Sequence, residues 1–355
     1  MKVAYVHIPF CKSKCLYCDF NSFDNKNDLI EEYIEALIKE INSYNVTELD
    51  TIYIGGGTPS FIDEKHISRI LANLPMANEI TIEMNPGTIT YEKLIEYKKA
   101  GVNRVSMGLQ VADNTILKKI GRIHTLEEFE ISYDLVRKAG FENVNVDLMF
   151  GLPTQTLDNF KESVEYLLKL NPEHISSYSL ILHNDIFKDL PSDEEERKMY
   201  HYLVERMQAA GYKHYEISNF AKTGFESKHN LAYWKQVEYY GFGAGASSYL
   251  DEKRYTNVSD IRKYINQVNE GKDVKILEEV QNFESKLNEY MMLGLRIIDG
   301  VNIQEVNEKF KVDVLEIYKE RLEKLENMGL IKIDENIALT KKGLDLANIV
   351  WEEFV

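Results

Sequence analysis

Val3-Ala4-Tyr5-Val6-His7-Ile8-Pro9-Phe10-Cys11-Lys12-Ser13-Lys14-Cys15-Leu16-Tyr17-Cys18 decides the fold, because a β-branched run passes directly into a loop that carries every cysteine of the chain. Working outward, short β-branched runs keep alternating with amphipathic helical stretches, which marks βα units over a parallel sheet. Six units are legible, with strands predicted at 3–8, 51–54, 79–84, 104–108, 144–149 and 175–181. The first helix shows the logic: Leu29, Ile30, Tyr33, Leu37, Ile38 and Ile41 recur at three- and four-residue spacing, with Asp28 placed to cap the start. Similar faces occur at 94–99, 129–138, 164–170 and 200–209, and Gly101, Gly140 and Gly211 are placed to stop helices. Six units without a seventh and eighth predict a partial (β/α)6 barrel of the TIM type, with an open doubly wound sheet as the alternative. Either architecture displays its site at the carboxyl ends of the strands.

The 355 residues suggest about two domains, and the balance of 44% hydrophobic with 28% charged residues and 7 prolines is that of a globular enzyme. A net charge of -16 repels phosphate backbones and anionic lipid, so nucleic-acid binding is not expected and membrane association is at most peripheral. The start of the chain has no basic region followed by an apolar stretch, and the cytoplasm is the expected address.

Beyond position 212 the pattern changes. The expected organisation is a barrel over 1–212, an extension over 213–275 rich in Tyr, His, Asn and Gly, and a mostly helical C-terminal domain over 276–355. That last part reads as a winged helix, with helices at 283–297, 303–310 and 315–328 and two strands at 330–333 and 337–339 around Asp334, Glu335 and Asn336. The third of these helices carries Glu316, Glu320, Glu323 and Glu326, which favours packing or docking over binding to DNA.

Three cysteines within positions 11 to 18 cannot build an intramolecular disulfide framework, so they are ligands or reactive thiols. The C-x3-C-x2-C spacing on one loop lets three thiolates ligate three irons of a [4Fe–4S] cluster, leaving the fourth iron open to a chelating substrate. A Cys3His zinc site completed by His7 is the competing assignment.

This spacing, with aromatic Tyr17 just before the third cysteine, resembles the radical S-adenosylmethionine (SAM) superfamily. Further motifs resemble the branch that holds oxygen-independent coproporphyrinogen III oxidase and the heme chaperone HemW. They are Tyr5 to Phe10 running into the cysteines, Gly55-Gly56-Gly57-Thr58-Pro59, Glu83 before Asn85-Pro86, Gln110 after Ser106-Met107-Gly108-Leu109, Arg122 near His124, and Asp147 ahead of Gly151 and Pro153. The resemblance implies that SAM is held by Tyr5, Tyr17, Gly56, Gly57, Thr58, Glu83, Gln110, Arg122 and Asp147. It also implies an electron donor to the cluster. Taken singly, each polar residue is equally well a structural ion pair or satisfied hydrogen bond.

Two features separate the chain from the oxidase: Phe20 stands where that enzyme carries a further cysteine, and the barrel begins at Val3 without a long preceding segment. His229-Asn230-Leu231-Ala232-Tyr233-Trp234 matches the HNxxYW signature of the chaperones and makes His229, Asn230, Tyr233 and Trp234 the heme candidates. An imidazole can ligate heme iron and aromatic rings offer it a flat surface, while a hydrogen-bonded core histidine accounts for the same residue. A heme chaperone that delivers heme to an apo-hemoprotein is therefore expected first, a radical enzyme acting on a porphyrinogen second, and a metal-binding regulator third. His174, His183, His201 and His214 are expected to be structural, and the Gly241 to Ala246 stretch a close-packing loop.

Overall fold

The computed structural model describes residues 2–181 and 186–355; His183 lies outside them. Its six leading strands are β1 (Val3–Ile8), β2 (Thr51–Gly56), β3 (Glu79–Met84), β4 (Arg104–Gln110), β5 (Asn143–Phe150) and β6 (His174–Ser179). They lie side by side in chain order and run parallel, each pair linked through a helix, as the crossover between parallel neighbours requires. Because both faces of such strands are covered, β4 is buried at every position.

Six further strands extend the sheet: β7 (Lys213–Glu216), β8 (Asn219–Ala221), β9 (Tyr239–Phe242), β10 (Ser247–Leu250), β11 (Lys253–Asn257) and β12 (Lys275–Val280). The order is β12-β11-β10-β9-β1-β2-β3-β4-β5-β6-β8-β7, so the sheet stays open, a partial barrel lengthened on both sides. β9 joins β1 in parallel, whereas β8 and the strands from β10 to β12 pair antiparallel. The sequence past position 212 gave no sign of these strands, since they are short and interrupted by polar turns.

The helix Ile30–Ser43 buries Tyr33, Ile34, Ala36, Leu37 and Ile41 against the sheet. Each fully buried aliphatic side chain contributes about 1.5–3 kcal/mol. Asp28 does not cap this helix. It sits inside a 3-10 turn, Asn27–Leu29, which leads into the helix through Leu29 and satisfies the chain there with a backbone bond from Leu29 N to Lys26 O. Gly101 ends its helix at φ 100°, a conformation that a side chain would strain.

A second core gathers Leu287, Met291, Leu295, Val306, Phe310, Leu322, Leu325 and Val350. Beside it stands a small antiparallel sheet, β13 (Val301–Asn302), β14 (Ile331–Ile333) and β15 (Asn336–Leu339), in the order β13-β15-β14. The helix expected over 315–328 is broken into Val314–Ile317 and Lys319–Asn327. Tyr318 leaves helical geometry at the break, its ring packed edge-on against Phe354 and its hydroxyl bonded to Asn288 Oδ1 at 2.5 Å. Glu316, Glu320, Glu323 and Glu326 are all exposed. Among the described residues, no helix is long and apolar enough to cross a membrane.

Candidate functional site

The loop after β1 is fixed by backbone bonds from Cys11 N to Phe23 O, Leu16 N to Ile120 O and Cys18 N to Cys15 O. Cys11, Cys15 and Cys18 are free thiols lining one inner cavity of 310 Å³ at the carboxyl ends of the strands. Each sulfur faces a polar group: Thr58 Oγ1 donates to Cys11 Sγ at 3.5 Å, Arg122 Nη1 to Cys15 Sγ at 3.7 Å, and Ser22 Oγ lies 3.8 Å from Cys18 Sγ. Donors around ligand sulfurs are what tunes an iron–sulfur cluster. His7 is not placed to complete a zinc site, because Nδ1 meets the Tyr5 hydroxyl at 2.9 Å and Nε2 meets Asn21 O at 2.8 Å. Three thiols on one loop, joined by no fourth ligand side chain among the described residues, fit a cluster that keeps one iron open.

The triple glycine follows from close approach. Gly56 has φ 116°, and a Cβ there would lie 2.5 Å from the His7 ring; one on Gly57 would come within 3.0 Å of Cys11 Sγ. Only bare backbone lets this turn lie against the cysteine loop. Gly56 N donates to Glu83 Oε2 at 3.2 Å and the Tyr53 hydroxyl to Oε1 at 2.8 Å. Burial still raises the Glu83 carboxyl to about 7, and burial likewise lifts Asp147 to about 6 despite a 2.7 Å bond from Asn145 Nδ2.

Arg122 anchors the opposite wall. Beyond Cys15 it donates from Nη2 to Asn85 Oδ1 at 2.9 Å and to Gly108 O at 3.2 Å, and Asn85 Nδ2 donates to Thr58 Oγ1 at 2.8 Å. Arg122, Asn85, Thr58 and Cys11 therefore form one continuous chain of contacts. Gln110 takes a left-handed φ of 67° at a register shift in β4, the kind of strained strand end that active sites retain.

The cavity thus brings together Tyr17, Gly56, Gly57, Thr58, Glu83, Gln110, Arg122 and Asp147 with the three cysteines. Tyr5 is set apart. Two residues earlier on β1, it reaches a neighbouring outer cavity of 600 Å³, where its ring stacks on Tyr53. The two cavities share Phe20, Tyr53, Gly56, Glu83 and Asn230 as a common wall.

His229, Asn230, Tyr233 and Trp234 line the outer cavity from the helix Lys228–Trp234. His229 is 1% exposed, and neither ring nitrogen is available: Nδ1 is 2.7 Å from Thr51 Oγ1 and Nε2 is 2.9 Å from the Tyr233 hydroxyl. Burial lowers its pKa to about 3, so the ring is neutral. Trp234 stacks on the Arg296 guanidinium, which also lies over Trp351 and links this helix to the second core. His174 and His214 are buried and hydrogen-bonded, and His201 pairs with Asp345 at 2.7 Å.

Tyr53, Asn85, Ser106, Asn145, Arg104 and Tyr178 also line the inner cavity and were not singled out from the sequence. A period of two would have found several. Tyr53 precedes Gly55 by two positions, Ser106 stands two before Gly108, and Asn145 stands two before Asp147, so each shares the inward face of its strand.

Residues 5–167 match the model of the Radical SAM superfamily, and residues 284–346 match that of the HemN C-terminal domain. The chain is 41% identical to the heme chaperone HemW of Lactococcus lactis subsp. lactis (strain IL1403), covering 99% of this chain and 97% of that protein. It is 40% identical to heme chaperone HemW of Bacillus subtilis (strain 168), over 100% and 99%. The solved structure of coproporphyrinogen III oxidase (HemN) from Escherichia coli, described as a radical SAM enzyme, superposes with a TM-score of 0.88 at 23% identity. That match covers 99% of this chain and 89% of the oxidase and shows a shared fold. With relatives this similar along their whole length, the chain belongs to the HemW family of the radical SAM superfamily.

Proposed function

We propose that this chain is a heme chaperone that holds a [4Fe–4S] cluster on Cys11, Cys15 and Cys18, SAM in the inner cavity and heme in the outer one, and passes heme to an apo-hemoprotein. The observation that carries the reading is the pair of cavities with one common wall, the inner ringed by thiols and polar groups, the outer by aromatic rings. The outer volume lies within the about 300–1,000 Å³ typical of small-molecule sites. Cys11, Cys15 and Cys18 would hold the cluster, which when bound would supply an open iron and one-electron chemistry beside the nucleotide. The chain's own residues orient the nucleotide: Glu83 and Asp147 accept from its amino and hydroxyl groups, and Arg122 offers a charge-assisted bond to its carboxylate. A cytoplasmic address and a division at 212 belong to the same proposal, while the boundary expected after 275 moves past β12, whose residues Lys275–Val280 pair with β11 in the large sheet.

Titration of the anaerobic, cluster-loaded protein with hemin tests the reading, with about one hemin per chain expected. Absence of saturable binding, measured by difference absorption, would remove the cargo function.

The two raised carboxyls give the inner cavity a pH signature. A cationic ligand needs them ionised, and they ionise as pH rises through about 6 for Asp147 and about 7 for Glu83. SAM affinity is therefore expected to increase about tenfold from pH 6 to 7.5, since one pKa unit corresponds to about 1.4 kcal/mol. Glu83→Gln should remove the upper part of that rise; an affinity independent of pH in the parent protein would contradict this assignment.

A further inference from the structure

The outer cavity contains histidines, yet neither His7 nor His229 has a free nitrogen. Its other lone-pair donors are phenols, carboxylates, the side-chain amides of Asn21, Asn230 and Gln236 and the Ser247 hydroxyl; neutral amide and alcohol oxygens are weak donors to ferric iron, and the Asp19 carboxylate has a partner of its own. Four of the phenols are engaged: Tyr5 with His7, Tyr53 with Glu83, Tyr233 with His229, and Tyr239 as acceptor from Arg254 Nη1 at 3.4 Å. The Glu289 carboxylate is held by Arg254, by Gln236 Nε2 at 2.8 Å and by Gln281 Nε2 at 2.8 Å. Tyr249 differs. It lines the same cavity from β10, and its hydroxyl forms no hydrogen bond to any described residue. The Arg254 guanidinium lies 4.9 Å from its ring centroid.

Resting on the reading that heme is the cargo, we propose that Tyr249 is the axial ligand to the iron of a metalloporphyrin seated in the outer cavity. A phenolate is a hard oxygen donor suited to ferric iron, and tyrosine serves as a heme ligand elsewhere. On binding, the phenol O–H bond breaks, an O–Fe bond forms, and the proton leaves to solvent. Burial, and after it the nearby Glu289 carboxylate, push this phenol up to about 12, and Arg254 offsets only part of that rise, so the bond to iron has to supply the rest of the cost of deprotonation. Exposed Phe20, which borders both cavities, offers the macrocycle an apolar edge.

Hemin and iron-free protoporphyrin IX, titrated into the cluster-loaded parent protein, Tyr249→Phe and Tyr249→His, separate a bond to iron from packing. Tyr249→Phe should weaken hemin by about tenfold and abolish the phenolate-to-iron charge-transfer band, while leaving iron-free porphyrin affinity unchanged. Tyr249→His should restore hemin binding with an imidazole-type spectrum. Equal weakening of both porphyrins, or an unchanged hemin spectrum in Tyr249→Phe, would overturn the ligand assignment while the cargo reading stands. A parent protein that binds no hemin would remove both.

Discussion

Cys15→Ala is expected to lower the iron content of anaerobically reconstituted protein from about four per chain to near zero, and to abolish the response of the reduced cluster's paramagnetic resonance to SAM. Three thiolates are the fewest that hold a cuboidal cluster with one open iron, so the loss of one leaves two corners unprotected. The polypeptide should be little affected. Cys15 is only half-buried, the loop keeps its bonds to Phe23 and Ile120, and Arg122 keeps Asn85 and Gly108 O. Substitutions away from packed features change stability by about 0.5 kcal/mol or less, so the melting temperature of the cluster-free variant should match that of the cluster-free parent. Elemental analysis that found zinc in place of iron in the parent, or a resonance indifferent to SAM, would reverse the assignment.

The parts of this fold that announce themselves in the sequence are those under a strong local rule. β1 and β3 match their expected bounds residue for residue, since Val3, Val6 and Ile8 in one and Ile80, Thr81 and Ile82 in the other supply the β-branched signal of a buried strand. The short strands beyond position 212 obey no such rule. β12 is an edge strand whose residues are mostly exposed, so Lys275, Glu278 and Glu279 interrupt its apolar positions and it carries no clear strand signal. Similarly, the cysteine spacing and the glycine turn are visible as motifs because each is set by contact with a single object. The Tyr53–Glu83, Asn85–Thr58 and Asn145–Ser106 contacts join separate elements that meet only in space, so a period of two marks the inward face of Tyr53 and Asn145 without disclosing their partners. The HNxxYW motif marks the correct wall of the outer cavity, yet it does not disclose that its histidine is already spent on Thr51 and Tyr233.

His229→Ala is consequently expected to act on stability before it acts on heme. The ring bridges β2 and its own helix, stacks near Tyr53 with centroids 5.1 Å apart, and is neutral at every pH where the protein is handled. Its removal strands the Thr51 and Tyr233 hydroxyls in a buried site, at about 1–3 kcal/mol for each unsatisfied group, and opens a void besides. Water admitted from the adjoining outer cavity would recover part of that loss, so a destabilisation of about 3 kcal/mol is expected in chemical denaturation of the cluster-free protein. His229→Gln, which can keep one of the two bonds, should fall between Ala and the parent. Because the native histidine is held neutral by burial, its contribution persists above about pH 6.5 and fades as pH falls toward 3, where the unfolded chain gains a proton that the folded one refuses. The gap between parent and alanine variant should therefore narrow on acidification. In the folded fraction of either variant, the hemin spectrum should be that of the parent, since the iron takes its axial bond elsewhere. A variant as stable as the parent but with a displaced Soret band would return the imidazole to the iron and make its two hydrogen bonds a state that heme binding breaks.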